Sequence, residues 1–300
     1  MPRWLVWTLL ALVSWGVWAV FSKLIGDGLS ATHSQALSTI GLLPLMLVLA
    51  VAKRSTNPGS MLRGASFALG AGLLSAFGNL AYYDILQRGG KAATVIPLTA
   101  LYPLVTVLLA VLFLHEKLNR FQMGGVLLSL GAIYLFNVTS ERGLLSSALG
   151  IALLPLLLWG VSGFFQKLST NHLSGPRSAL MYFVAFLPVA LGIVWREPVA
   201  SGQINPRIWA LVLTLGLFLA LGNFALMMAF ARGKAAIIAP LAAMYPLVSV
   251  PVAILFFGER VGSRELIGIG LALLASIALA WETKPPPPDQ VCSNRPSNVA

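Results

Sequence analysis

A few polar and conformationally special residues stand out against long apolar runs, and their types suggest ligand handling rather than bond-breaking chemistry. Asn79 and Asn223 each lie deep in such a run. An unpaired amide in an apolar medium is costly, so each must bond another helix or line a wet cavity. Tyr102-Pro103 and Tyr245-Pro246 are tyrosine–proline pairs in the same kind of setting, with Pro97 and Pro240 six residues ahead of each proline. Proline removes a helical donor and frees the carbonyl four residues earlier. A hinge with a polar lining and a static kink satisfied by neighbouring helices both fit. Trp15, Trp18 and Trp159, together with Tyr102 and Tyr245, offer aromatic walls with polar tips, which suit apolar or cationic organic groups. Tyr82 and Tyr83, close to a helix end, fit an interfacial belt or core packing better. Asp84 is an acid inside an apolar run and could attract a cation or a proton, but Arg88 follows at salt-bridge spacing. Lys91 and Lys234 open apolar runs, where a lysine either holds phosphate or carboxylate at a helix start or snorkels to an interface. Glu116 and Glu259 are expected to cap helices or form surface pairs.

Signatures of covalent or metal chemistry are missing from the sequence. It has no HExxH, P-loop or GxSxG motif, and His33, His115 and His172 are scattered. No catalytic residue, metal or cofactor is expected. Cys292 is the sole cysteine, so no intrachain disulfide can form.

These residues recur in pairs because the chain repeats itself. Gly78–Glu116 reads GNLAYYDILQRGGKAATVIPLTALYPLVTVLLAVLFLHE and Gly222–Glu259 reads GNFALMMAFARGKAAIIAPLAAMYPLVSVPVAILFFGE. Partners fall 144 positions apart up to Gly90, one extra residue, and 143 apart beyond it. Upstream, Trp15-Gly16 matches Trp159-Gly160, Lys23 matches Lys167 and Pro44 matches Pro188. An internal repeat of half the chain governs the architecture.

The elements carrying these residues must be membrane helices. Of 300 residues 58% are hydrophobic and 10% charged, with mean hydropathy +0.85, against about 25% charged in a soluble domain. Ten spans are predicted, near 4–25, 33–52, 64–87, 92–114, 121–138, 148–168, 177–195, 208–231, 235–257 and 264–282, giving units 4–138 and 148–282. The tail 283–300 opens on a polyproline run and is expected to be disordered. The net charge of +11 comes from basic residues scattered between apolar runs, a topology signal rather than a nucleic-acid face, so no nucleic-acid partner is expected. Twelve Lys and Arg fall on the side of the N-terminus and eight on the other, which favours cytoplasmic termini. An odd number of spans per repeat inverts the second copy relative to the first. Such halves exchange conformations to open alternate faces around a mid-membrane site.

On the paired repeats, the two Trp-Gly steps, the Pro-Leu-x-x-x-Tyr-Pro-Leu-Val segments and the pairs Glu116-Lys117 and Glu259-Arg260, the chain resembles the ten-helix EamA type of the drug/metabolite transporter superfamily. The resemblance runs from about Leu5 to Trp281. It implies an all-α integral membrane protein of ten transmembrane helices in two inverted five-helix repeats, with a central cavity lined by helices 1, 3, 4, 6, 8 and 9. The expectation is a transporter, specifically an exporter, of a small organic metabolite such as an amino acid or an aromatic or amphipathic compound, in a bacterial inner membrane. The alternatives are a phosphorylated- or nucleotide-sugar transporter anchored by Lys91 and Lys234, and, in another class, a membrane enzyme or scaffold. Gly125 with Ser129 and Gly268 with Ala272 form small-residue faces suited to packing within a protomer or in a homodimer.

Overall fold

The computed structural model describes residues 1–26, 28–52, 59–115, 117–137, 147–199 and 204–281. Asp27, Lys53, Arg54, Glu116, Arg142, Cys292 and the tail from 282 lie outside the described residues. Helix runs through ten stretches: α1 Arg3–Gly26, α2 Ala31–Val51, α3 Met61–Gln87, α4 Ala92–Leu114, α5 Arg120–Asn137, α6 Ser147–His172, α7 Gly175–Arg196, α8 Pro206–Phe230, α9 Ala235–Phe256 and α10 Ser263–Ala280. No strand occurs among the described residues. Eight of them, α1–α4 and α7–α10, meet both the length and the hydropathy needed to cross a bilayer. Large apolar side chains such as Leu47, Leu112, Phe113, Leu127, Leu191 and Phe256 point outward, exposed. That inside-out surface suits lipid. The chain is therefore an all-helical membrane protein. The expected ends hold within a few residues; α6 runs furthest beyond them, to His172 rather than 168.

Four helices are interrupted, in matched pairs. α4 breaks between Ala92–Thr99 and Pro103–Leu114, and α9 between Ala235–Ala242 and Pro246–Phe256. Each break falls on the Tyr-Pro step. Pro103 and Pro246 sit at the first position of the second piece, where a missing donor does no harm. The Thr99 carbonyl freed by Pro103 is taken up locally, accepting from the Tyr102 backbone N–H at 3.1 Å. That carbonyl therefore has a partner without a wet cavity. Pro97 and Pro240 lie inside the short first pieces and cause no break. The other interruptions, before Pro44 in α2 and Pro188 in α7, form the second matched pair.

The two repeats interlock rather than sit side by side. α1 packs along α8, and its counterpart α6 packs along α3. α4 of one repeat lies against α9 of the other, and α5 pairs with α10 at the periphery. Gly125 faces α10 there, where an added Cβ would meet Leu279 and the Ala275 carbonyl, so this small-residue face is used within the protomer. At the centre, the Trp-Gly step of each repeat engages the Gly-Asn step of the other. A Cβ on Gly78 would come within 2.5 Å of the Trp159 Nε1, and one on Gly222 would strike Trp15 equally closely. The next glycines continue the seat: Gly16 admits Val248, and Gly160 admits Val105 and the Tyr102 carbonyl. In a bilayer, where helices gain little from excluding water, such close packing holds them together.

Replacing Gly222 by Val should push Trp15 out of its seat and destabilise the protein by about 1–3 kcal/mol through overpacking. Thermal melts of the detergent-purified protein measure the loss, and Trp15→Phe in the same chain should recover part of it. A wild-type melting temperature for Gly222→Val would show that the seat has slack.

Candidate functional site

Where the two Trp-Gly/Gly-Asn seats meet, an internal cavity lies between the repeats. It is lined by all seven aromatic and amide residues named from sequence as cavity candidates: Trp15, Trp18, Asn79, Tyr102, Trp159, Asn223 and Tyr245. Ser75, Gly163, Gln166, Tyr182, Leu219 and Leu226 complete the wall. The room for the centres of water-sized molecules is small, about 40 Å³. At about 10–15 Å³ for each water, that accommodates a few waters and no organic molecule. No Lys, Arg, His, Asp or Glu is among the lining residues.

The walls are held by hydrogen bonds that cross between repeats. The Trp159 indole N–H donates to Asn79 Oδ1 at 3.1 Å. The Tyr102 hydroxyl donates to the Ala239 carbonyl at 3.5 Å. Thr99 spends its hydroxyl hydrogen on the Val95 and Ile96 carbonyls, so the Tyr245 hydroxyl donates to Thr99 Oγ1, at 3.4 Å. Trp15 meets both tyrosines edge-on, with ring centres 6.1 and 6.2 Å away. Asn223 turns its amide N–H back to the Leu219 carbonyl, at 2.9 Å, within its own helix. The matched asparagines are therefore used differently, one between helices and one within a helix.

The cavity has two unlike ends. Toward the face where α1 ends, Trp18 stacks on Tyr82 at 5.1 Å and donates its indole N–H to the Tyr83 hydroxyl at 3.2 Å. Tyr82 and Tyr83 are fully buried, which makes them core packing and not an interfacial belt. Their repeat counterparts are Leu226 and Met227, and that of Trp18 is Ser162, so the aromatic plug exists on one side only. Toward the face where α1 starts, the wall is polar: Ser75, Ser162 and Gln166 form a hydrogen-bonded chain, with Ser75 and Ser162 2.8 Å apart. Gln166, Ser75 and Tyr182 escape sequence reasoning because their counterparts Ser22, Leu219 and Ser38 are different residues. The one available signal was a glutamine directly before a matched lysine.

Beyond the plug, a carboxylate closes the face. Glu259, at the end of α9, reaches across to the start of α4 and accepts from the backbone N–H groups of Ala92 (2.9 Å) and Ala93 (2.7 Å). Lys23, from the end of α1, stands 3.8 Å from the same carboxylate. Glu259 is thus a cap, as expected, but of a helix in the other repeat, where unsatisfied donors and the helix dipole favour an anion. The matched Glu116 lies outside the described residues. Lys91 points away from the cavity, donating to the Arg260 carbonyl at 3.1 Å and standing 3.3 Å from Glu265. Asp84 is paired with Arg88 at 2.6 Å near the surface, also away from the cavity. Lys234 precedes α9 and is not among the cavity-lining residues. At the opposite face Lys167 donates to the Phe230 and Gly233 carbonyls, at 2.9 and 3.0 Å.

The faces also differ at their rims. Where α2 and α8 end and α7 starts, a groove of about 640 Å³ opens, bordered by Arg177, Arg232, Thr170 and Met181. The corresponding place on the other face is tied shut. There Thr32 donates to Glu197 Oε2 at 2.7 Å, the His33 ring nitrogen donates to the Glu197 carbonyl at 3.0 Å, and Gln87 donates to the Leu29 carbonyl.

Comparison with known proteins agrees with this arrangement. The model of the EamA-like transporter family matches twice, over residues 2–138 and 146–281. An uncharacterized protein of Methanocaldococcus jannaschii is 28% identical over 132 residues, 44% of this chain but 94% of its own length, so it is about one repeat long. A protein of known crystal structure, 14% identical, superimposes on 91% of this chain and 96% of its own with a TM-score of 0.64, which shows a shared fold.

Glu259→Ala should free the start of α4 and strand Lys23. We expect a loss of about 1–3 kcal/mol, from two buried donors left without a partner. A cysteine placed at Trp18 should then react faster with reagent applied from the plugged face. Unchanged labelling would show that Glu259 caps a helix without holding that face closed.

Proposed function

We propose, from the premise that this chain belongs to the EamA-like transporter family of small-molecule membrane transporters, that it carries a small organic molecule without net charge through the central cavity. The observation that carries this reading is the cavity wall: tryptophans, tyrosines and amides, with no ionised side chain. A substrate with a net negative charge would be stripped of water there with nothing to balance it. A zwitterionic, neutral or amphipathic aromatic compound meets π faces and amide groups instead. The phosphorylated- or nucleotide-sugar alternative loses support, since Lys91 is engaged with Glu265 away from the cavity.

The mechanism that fits is alternating access. The cavity is too tight for such a cargo, so loading needs the walls to part, and the inverted halves supply two mirror ways of doing so. The breaks at Tyr102-Pro103 and Tyr245-Pro246 serve as hinges, because they lie at matched points of the helices that flank the pseudo-two-fold axis. The open groove at the N-terminal face and the ties at the other support loading from the N-terminal side. With twelve basic residues against eight favouring a cytoplasmic N-terminal face, that direction is export.

Proteoliposomes preloaded with labelled aromatic amino acid should release it faster than protein-free vesicles, whereas sugar phosphate should be retained. Lys91→Gln with Lys234→Gln should leave the release rate within about twofold of wild type. Loss of transport in that double variant, with normal reconstitution, would restore the anionic-substrate reading.

The hinge assignment makes its own forecast. Pro103→Ala and Pro246→Ala should each slow transport while largely retaining substrate binding, and should bias access toward opposite faces. Cysteine labelling from each side of whole cells, on a Cys292→Ser background, reads both the bias and the orientation of the termini. Shifts in the same direction, or normal transport rates, would reduce these prolines to static kinks.

A further inference from the structure

Two of the cavity's polar atoms are buried and unpartnered: the amide nitrogen of Asn79 and the carbonyl oxygen of Gln166. The two residues are 2% and 3% exposed, and both line the cavity. Asparagine and glutamine amides can be built either way round, so the identity of the free atom depends on the partner of the other one. Here the partners decide. Indole nitrogen only donates, so Trp159 fixes the Asn79 oxygen in the occupied position and leaves the nitrogen, a donor, facing the cavity. Ser162 has one hydroxyl hydrogen and gives it to the Ala71 carbonyl at 2.8 Å. Toward Gln166, 3.2 Å away, it can therefore only accept, which fixes the Gln166 nitrogen against it and leaves the oxygen free.

The cavity therefore carries a fixed polarity, with a donor on α3 of the first repeat and an acceptor on α6 of the second. The repeats do not share it. The counterpart of Gln166 is Ser22, whose hydroxyl already donates to the Ala19 carbonyl at 2.6 Å. Gln166 also stands at the polar end of the cavity, opposite the plug formed by Trp18 and Tyr82.

We infer that Gln166 is a specificity-determining residue that receives an amino N–H of the substrate, while Asn79 donates to a carbonyl or carboxyl oxygen of the same molecule. The substrate class is an aromatic or apolar amine with an oxygen acceptor a few bonds from its nitrogen. The aromatic part lies against the Trp18 end and the amino group toward the N-terminal face. The inference rests on the central cavity being the substrate site, as proposed above. It adds that the amino group is read, and by which residue. An acceptor left unpaired against a substrate that lacks the N–H weakens binding by roughly tenfold or more.

The test uses the full-length protein in detergent and three probes, L-phenylalanine, L-phenylalaninamide and the uncharged 3-phenylpropanamide, with binding read by calorimetry and transport by counterflow in proteoliposomes. The two amines should bind at least about tenfold tighter than 3-phenylpropanamide. Gln166→Met, similar in shape but without the carbonyl oxygen, should bring that ratio close to one. Gln166→Glu retains an oxygen acceptor and should keep the preference for amines, which separates the loss of an acceptor from general damage to the site. A ratio near one in the wild type, or a ratio unmoved in Gln166→Met, overturns this inference while leaving the cavity as the substrate site. Failure to bind or carry any of the three overturns both.

Discussion

The structure depends on one contact made twice: the tryptophan of each repeat seated on the glycine of the other. Trp159 lies where Gly78 has no side chain, and Trp15 lies where Gly222 has none. This brings α1 against α8 and α6 against α3, and leaves α4 and α9 facing each other across the pseudo-two-fold axis. The asparagines that follow the glycines are thereby delivered to the centre, together with the Tyr-Pro steps. The cavity is thus what remains after two bulky side chains have been fitted into two notches. A bilayer gives little reward for bringing apolar helices together, so shape fit and the few polar contacts must decide how they pack.

Upon that symmetric frame the chain builds an asymmetric lining. Trp18, Tyr82 and Tyr83 fill one end with rings, while the matched positions hold Ser162, Leu226 and Met227. Ser75 and Gln166 make the other end polar where the matched positions hold Leu219 and Ser22. Symmetry supplies two equivalent ways of opening; the asymmetry gives a cargo one preferred way to lie. The closures differ in kind as well. Glu259 binds the start of a helix from the other repeat, using a full charge against backbone donors, whereas Lys167 binds carbonyls at the end of α8.

Most of the frame was legible in the sequence because the repeat is. Matching positions singled out Trp15 with Trp159, Asn79 with Asn223 and Tyr102 with Tyr245, and all six line one cavity. The same habit hid Gln166, Ser75 and Tyr182, each polar or aromatic in one copy only. Tyr82 and Tyr83, near the end of α3, left interfacial belt and core packing open. The plug buries them, a tertiary effect that no local pattern carries. Proline spacing does not distinguish the two kinds of site: Pro103 and Pro246 coincide with breaks, while Pro97 and Pro240 sit within short helical pieces. Glu259 was readable as a cap, but the helix it caps belongs to the other repeat and begins 167 positions earlier, at Ala92.

The swapped seating also sets the order in which the protein can be assembled. Trp15 and Gly222 are 207 positions apart (222 − 15). At about 5–20 residues per second, α1 waits roughly 10–40 s in the membrane for the helix that receives it. Throughout that wait the part of its face that meets α8, with Trp15 in it, lacks its final partner. The first repeat therefore cannot mature on its own, and the core closes only after α8 has been synthesised. A ribosome that stops short of Gly222 leaves five inserted helices with an unfilled notch at Gly78 only if α6 is also missing. One that stops between α6 and α8 leaves a half-closed intermediate with Trp159 seated and Trp15 waiting, a species that membrane proteases would meet before any transporter exists.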